Sequence, residues 1–179
     1  VIAQGNVIIN TQEDYDAYLE TTHVEGNFTI NLPDGIPTFP NLASISGSLL
    51  VADTSGITGF GMTSLTTIGG SLIFGNSETL NGFDFSSLET IGISMNVFNN
   101  PFLVHLNFPK LQSVNVSITM TDNAQLQKLT FPILEGPLPE LTIKNNGALP
   151  QCLAYLLKDQ ILPTSIDIDE GNCIECKCD

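Results

Sequence analysis

The feature that most constrains this chain is a repeat of 23 residues. Leu42, Leu65, Leu88, Leu111 and Leu134 keep that interval, and six further apolar columns share it. Ile45, Ile68, Ile91 and Val114 form one. Leu49, Leu72, Met95, Ile118 and Leu141 form the next, and Val51, Phe74, Val97, Met120 and Ile143 follow two residues later. Ile57, Leu80, Leu103, Leu126 and Leu149 come next, then Phe60, Phe83, Leu106 and Leu129, then Met62, Phe85, Phe108 and Phe131. Self-similarity at this period marks a solenoid. Each coil is too small to bury its own inner face, and stacking identical columns buries it.

Within each repeat the apolar residues alternate, as at Leu49/Val51 and Leu72/Phe74. A period of two means a strand with one side inward. Its neighbour comes from the next coil, so the strands are parallel and stack about 4.8 Å apart. Eight inward pairs can be traced: Val7/Ile9, Phe28/Ile30, Leu49/Val51, Leu72/Phe74, Met95/Val97, Ile118/Met120, Leu141/Ile143 and Ile166/Ile168. The expected fold is an all-β parallel solenoid of about eight rungs, a rod of roughly 34 Å.

After the central strands stand Asp53-Thr54, Asn76-Ser77, Asn99-Asn100, Asp122-Asn123 and Asn145-Asn146. Short polar side chains at a corner bond the local backbone and tolerate left-handed geometry, so these pairs are read as a structural ladder rather than as calcium ligands.

A solenoid needs capped ends, because open rungs pair with other chains. "TQEDYDAYLETT" (11–22) predicts a capping helix, with Thr11 as N-cap, Asp14 three residues on, and Tyr15, Tyr18 and Leu19 on one face. "LPQCLAYLLKDQIL" predicts a second, with Pro150 in its first turn and Leu153, Leu156, Leu157 and Ile161 inward. The chain thus reads as one domain over 1–179. Residues 1–31 form the N-terminal cap and first rungs, 32–149 the central repeats, and 150–179 the C-terminal helix and Cys-rich cap. Cys152, Cys173, Cys176 and Cys178 are an even, clustered set and are read as disulfides, with the pairing open. A zinc site fits less well, because Cys-x-Cys spacing is tight for a closed tetrahedron.

Composition narrows the partners. There are five lysines, no arginine and a formal charge of −14, so nucleic acid and anionic membrane surfaces are disfavoured. No apolar run is long enough for a membrane helix. The start at Val1, without a charged leader, is expected of a processed mature chain or of one trimmed from a longer protein. Asn27 and Asn115 head Asn-x-Ser/Thr sequons and are glycosylation candidates.

The stretch Leu65–Phe85, "L-x-x-I-G-G-S-L-x-F-x-N-x-x-x-L-x-x-F-x-F", resembles the receptor L domain family, and the resemblance extends over essentially the whole chain. It implies a right-handed β-helix related to leucine-rich repeats, an extracellular or cell-surface location, and a role in binding or scaffolding. It transfers no catalytic residue.

The residues themselves show no catalytic motif. His23 and His105 read as solvated side chains, and Asp167, Asp169 and Glu170 as one acidic turn. Neither an enzyme, a cofactor nor a metal is expected. Function is sought on the outward face of the main strands, where Leu50, Ile73, Asn96, Phe98, Thr119 and Thr121 are the candidate binding residues, with Leu50, Ile73 and Phe98 taken as exposed. The first expectation is a recognition or adhesion module for a protein or glycan. The second is a structural subunit that binds copies of itself in a filament or wall layer. Ice binding requires regular Thr-x-Thr ranks, and on this face only Thr119/Thr121 supplies one.

Overall fold

The computed structural model describes residues 1–33, 35, 37–52, 54–169 and 171–173. The chain is mostly β, with two short helices and parallel sheets. An eight-stranded sheet is built from Val7–Ile9, Phe28–Ile30, Leu49–Ala52, Leu72–Gly75, Ser94–Phe98, Ser117–Thr121, Glu140–Lys144 and Ser165–Ile168. Its register is the one the inward pairs predict: Val7 pairs with Phe28, Phe28 with Leu49, Leu49 with Leu72, Leu72 with Met95, Met95 with Ile118, Ile118 with Leu141, and Leu141 with Ile166.

The repeat did not announce the other sheets. Ile2–Gln4, His23–Glu25, Ser44–Ile45, Thr67–Ile68, Thr90–Ile91 and Ser113–Val114 form a six-stranded parallel sheet. Gly59–Gly61 pairs with Gly82–Asp84, and His105–Asn107 with Lys128–Thr130, also in parallel.

The apolar columns meet in one core. Leu49, Leu72, Met95, Ile118 and Leu141 are fully buried, as are Val51, Phe74, Val97, Met120 and Ile143. Each such Phe, Leu or Ile contributes about 1.5–3 kcal/mol through removal from water. Phe85, Phe108 and Phe131 stack along the core, with centroids 5.8 and 5.5 Å apart. Phe83 and Leu129 are only partly buried, whereas Phe60 and Leu106 of the same column are buried.

The corners hold a buried ladder. Thr54 and Ser77 share a hydroxyl bond of 2.7 Å, and the Ser77 N–H donates to Asn100 Oδ1 at 3.3 Å. Asn100 Nδ2 donates to Asn123 Oδ1 at 3.1 Å, Asn123 Nδ2 to Asn146 Oδ1 at 3.1 Å, and Asn146 Nδ2 to Asn172 Oδ1 at 3.3 Å. The residues before Ser77, Asn100, Asn123 and Asn146 turn the chain through left-handed geometry, with φ of 54° at Asn76, 52° at Asn99, 58° at Asp122 and 54° at Asn145. Asn and Asp tolerate that region better than other residues with a β-carbon. Asp53, in the first predicted corner, lies outside the described residues.

Helix α1 spans Gln12–Tyr18 and has the predicted capping box: Thr11 Oγ1 accepts from the Asp14 N–H, and Asp14 Oδ2 accepts from the Thr11 N–H. Tyr15 and Tyr18 pack partly buried on the core. Helix α2 spans Gln151–Ile161, with Pro150 one residue before it as N-cap. It buries Ala154, Leu157 and Ile161, whereas Leu156, expected inward, is 61% exposed. Residues 154, 157 and 161 follow the three-and-four spacing of one face, and Leu156 falls beside that stripe. The pair Ile166/Ile168 is also less enclosed than predicted, with Ile166 exposed, because Ser165–Ile168 is the last strand of its sheet. Cys152 and Cys173 each take part in a disulfide. Cys176 and Cys178 lie outside the described residues.

Candidate functional site

Alternation along the main strands sets the outward columns. The register aligns Thr29, Leu50, Ile73, Asn96, Thr119 and Thr142 in one row across the sheet. The row two residues on contains Ala52, Gly75, Phe98, Thr121 and Lys144. The structure thus brings Leu50, Ile73, Asn96, Phe98, Thr119 and Thr121 onto one face. Leu50 and Ile73 are direct cross-strand partners, as are Asn96 and Thr119, and Phe98 and Thr121.

These residues are half-buried rather than freely exposed, which corrects the reading of Leu50, Ile73 and Phe98 as exposed. The cause is the close spacing of parallel strands, which lets each outward side chain rest on those above and below it. For Phe98 the neighbour is Gly75, whose missing β-carbon leaves the space the ring occupies.

One edge of the face is tied down by small polar side chains. The Ser48 N–H donates to Asn27 Oδ1 at 2.8 Å, the Ser71 N–H to Ser48 Oγ at 3.0 Å, and the Ser94 N–H to Ser71 Oγ at 3.3 Å. Ser117 Oγ donates to Ser94 Oγ at 2.8 Å. Another edge carries the exposed rank in which Asn99 Nδ2 donates to Asn76 Oδ1 and Asn145 Nδ2 to Asp122 Oδ1, each at 2.9 Å. The candidate residues therefore sit on a backbone fixed at both edges, which reduces the ordering a ligand must impose.

Charge lies at the far end of the sheet. Lys144 forms an ion pair with Asp167, and that hydrogen bond raises the lysine above its ordinary pKa. Asp169 Oδ1 accepts from the Gly171 and Asn145 N–H groups, as a turn-forming carboxylate does. Glu170, the third acid of this turn, lies outside the described residues. His105 is exposed on its strand, and the exposed His23 has Nδ1 at 2.8 Å from Thr22 Oγ1. Both sequon asparagines are exposed.

Sequence reasoning missed Phe102. It is one of the large apolar residues the fold leaves exposed, and it lies outside the main face, between the strands Ser94–Phe98 and His105–Asn107. Its signal was available: Thr79, Phe102 and Gln125 keep the 23-residue interval, and only the middle position is aromatic. No family model, curated protein or solved structure matches the chain.

Proposed function

We propose that this chain is a non-enzymatic recognition or adhesion module, secreted or displayed at a cell surface, that binds a protein or glycan through the outer face of its eight-stranded sheet. In this reading the parallel sheets wind as one closed, right-handed β-solenoid of about eight rungs, of the receptor L domain kind. The observation that carries the proposal is the face itself: Leu50, Ile73 and Phe98 lie partly exposed among small polar residues on a backbone locked at its edges. Apolar side chains on a rigid, otherwise polar surface are what a contact site requires. The disulfide-bonded Cys152 and Cys173 support an oxidising compartment.

The competing assembly reading draws on the opposite end of the molecule. Ser165–Ile168 is a terminal strand with Ile166 exposed, a geometry open to strand addition. Light scattering over a concentration series, combined with surface binding of the labelled chain to cells, separates the two. A monomer whose cell binding falls in Leu50→Glu and Ile73→Glu supports recognition. Regular fibres, blocked by Ile166→Lys but not by the face variants, replace it with assembly.

A further inference from the structure

Thr58, Glu78, Asn81, Phe102, Val104 and Gln125 line a surface cleft of about 370 Å³. They come from the same turn of four successive repeats. Thr58, Asn81 and Val104 form one 23-residue column, and Thr79, Phe102 and Gln125 another. The repeat backbone fixes their heights: the Asn81 N–H donates to Thr58 O at 3.0 Å, and the Gln127 N–H to Val104 O at 2.9 Å. Phe102 is 50% exposed. Eight of the ten phenylalanines pack ring against ring in or beside the core, and Phe102 is outside that set.

The rim is as notable as the ring. Thr79 Oγ1 donates to Ile57 O, so its hydroxyl is already used. The side chains of Thr58, Glu78, Asn81 and Gln125 make no hydrogen bond or ion pair among the described residues. An aromatic platform is thus ringed by two amides, a hydroxyl and a carboxylate, all with unused bonding capacity. Glu78 is the only charged group among them, and the chain as a whole is strongly acidic.

We infer that this cleft is a carbohydrate subsite for a neutral oligosaccharide, separate from the eight-stranded face. A pyranose has an apolar face of C–H groups that suits the electron-rich face of Phe102. Its hydroxyls both donate and accept, matching the amides of Asn81 and Gln125, which do the same, and the Glu78 carboxylate, which accepts. Few polar groups placed around an apolar floor are the general form of a small-ligand site, and the volume falls in that range. Glu78 and the net charge disfavour anionic sugars.

The test is calorimetric titration of the whole chain with cellotetraose, laminaritetraose, chitotetraose and mannotetraose, and with tetragalacturonate as the anionic counterpart. At least one neutral tetrasaccharide binds, and tetragalacturonate does not. Phe102→Ala weakens that binding at least about tenfold, as loss of an aromatic anchor does. Phe102→Tyr retains it, Gln125→Ala reduces it, and the exposed Ile133→Ala leaves it unchanged. The fold of Phe102→Ala is checked by circular dichroism, and the conservative Phe102→Tyr guards against a folding artefact. The inference is overturned if no neutral tetrasaccharide binds the wild-type chain, if binding survives both Phe102→Ala and Gln125→Ala, or if tetragalacturonate binds equally well. Because cell binding through the main face is read with Leu50→Glu and Ile73→Glu, failure of either idea is distinguishable from failure of the other.

Discussion

The ring of Phe98 lies where a side chain on Gly75 would stand: a β-carbon at Gly75 would overlap Cε2 and Cζ of the aromatic ring. The two are register partners on neighbouring strands of the eight-stranded sheet. The ring covers a glycine that would otherwise weaken the strand and expose its backbone, and the glycine lets the ring lie flat instead of projecting. The pair gives the candidate face its low relief.

This contact is testable by a double-mutant cycle. Gly75→Ala forces the ring away and costs about 1–3 kcal/mol, the usual range for overpacking. In a Phe98→Ala background the same change costs less, because the added methyl meets no ring. Urea denaturation of the four proteins measures the coupling, and additive effects would mean that the two residues do not share the space.

The buried corner ladder makes a larger prediction. Asn123 Oδ1 accepts from the backbone and side chain of Asn100, and its Nδ2 donates to Val97 O as well as to Asn146. Asn123→Leu leaves several buried groups without partners. At about 1–3 kcal/mol for each orphaned group, the expected loss is roughly 3 kcal/mol or more. A drop below about 1 kcal/mol in equilibrium unfolding would show that water or local rearrangement replaces the ladder.

One position before the ladder residue Asn100 the physics differs. Asn99 is exposed but held at φ 52°. Asn99→Gly removes the strain while losing the surface bond to Asn76, so stability changes little. Asn99→Val places a branched side chain in the left-handed region and costs about 1–2 kcal/mol. Thermal unfolding of the two variants side by side reads the difference. Equal stability would count against conformational strain as the reason for Asn here.

The N-terminal cap has a pH signature. The Asn10 N–H, then the Thr11 hydroxyl, and least the Thr11 N–H, donate to Asp14 and lower its pKa from the ordinary 3.8 against the opposing effect of desolvation. A carboxylate whose folded pKa is depressed stabilises fully above its unfolded value and loses that contribution as pH falls through the folded value. The melting-temperature gap between the wild type and Asp14→Asn is therefore constant near neutrality and closes as pH drops below about 3.8. Thr11→Ala removes the reciprocal bond and costs about 1 kcal/mol.

Much of the fold was legible because burial repeats. Every coil must place its inner residues over those of the next, so the columns led by Leu49 and Val51 are written in the sequence at fixed spacing, and the register of the main sheet follows from them. The two-residue strands, such as Thr67–Ile68, were not legible, since alternation carries no signal over so short a run. The last rung of the ladder was hidden for another reason. Asn172 follows Asn146 by 26 residues rather than 23, because α2 occupies the intervening coil.

The sequence by itself determined which columns of the central repeats point inward, which corners suit left-handed geometry, and how the main strands align, because each is a local or periodic consequence of burying one face. Only the tertiary structure decided what the outward residues do. Phe98, Phe102 and Leu156 are all apolar, yet one lies across a glycine, one stands at a cleft, and one points to water. Their fates depend on neighbours contributed by other coils and on the packing of a helix, and outward positions are under no obligation to repeat.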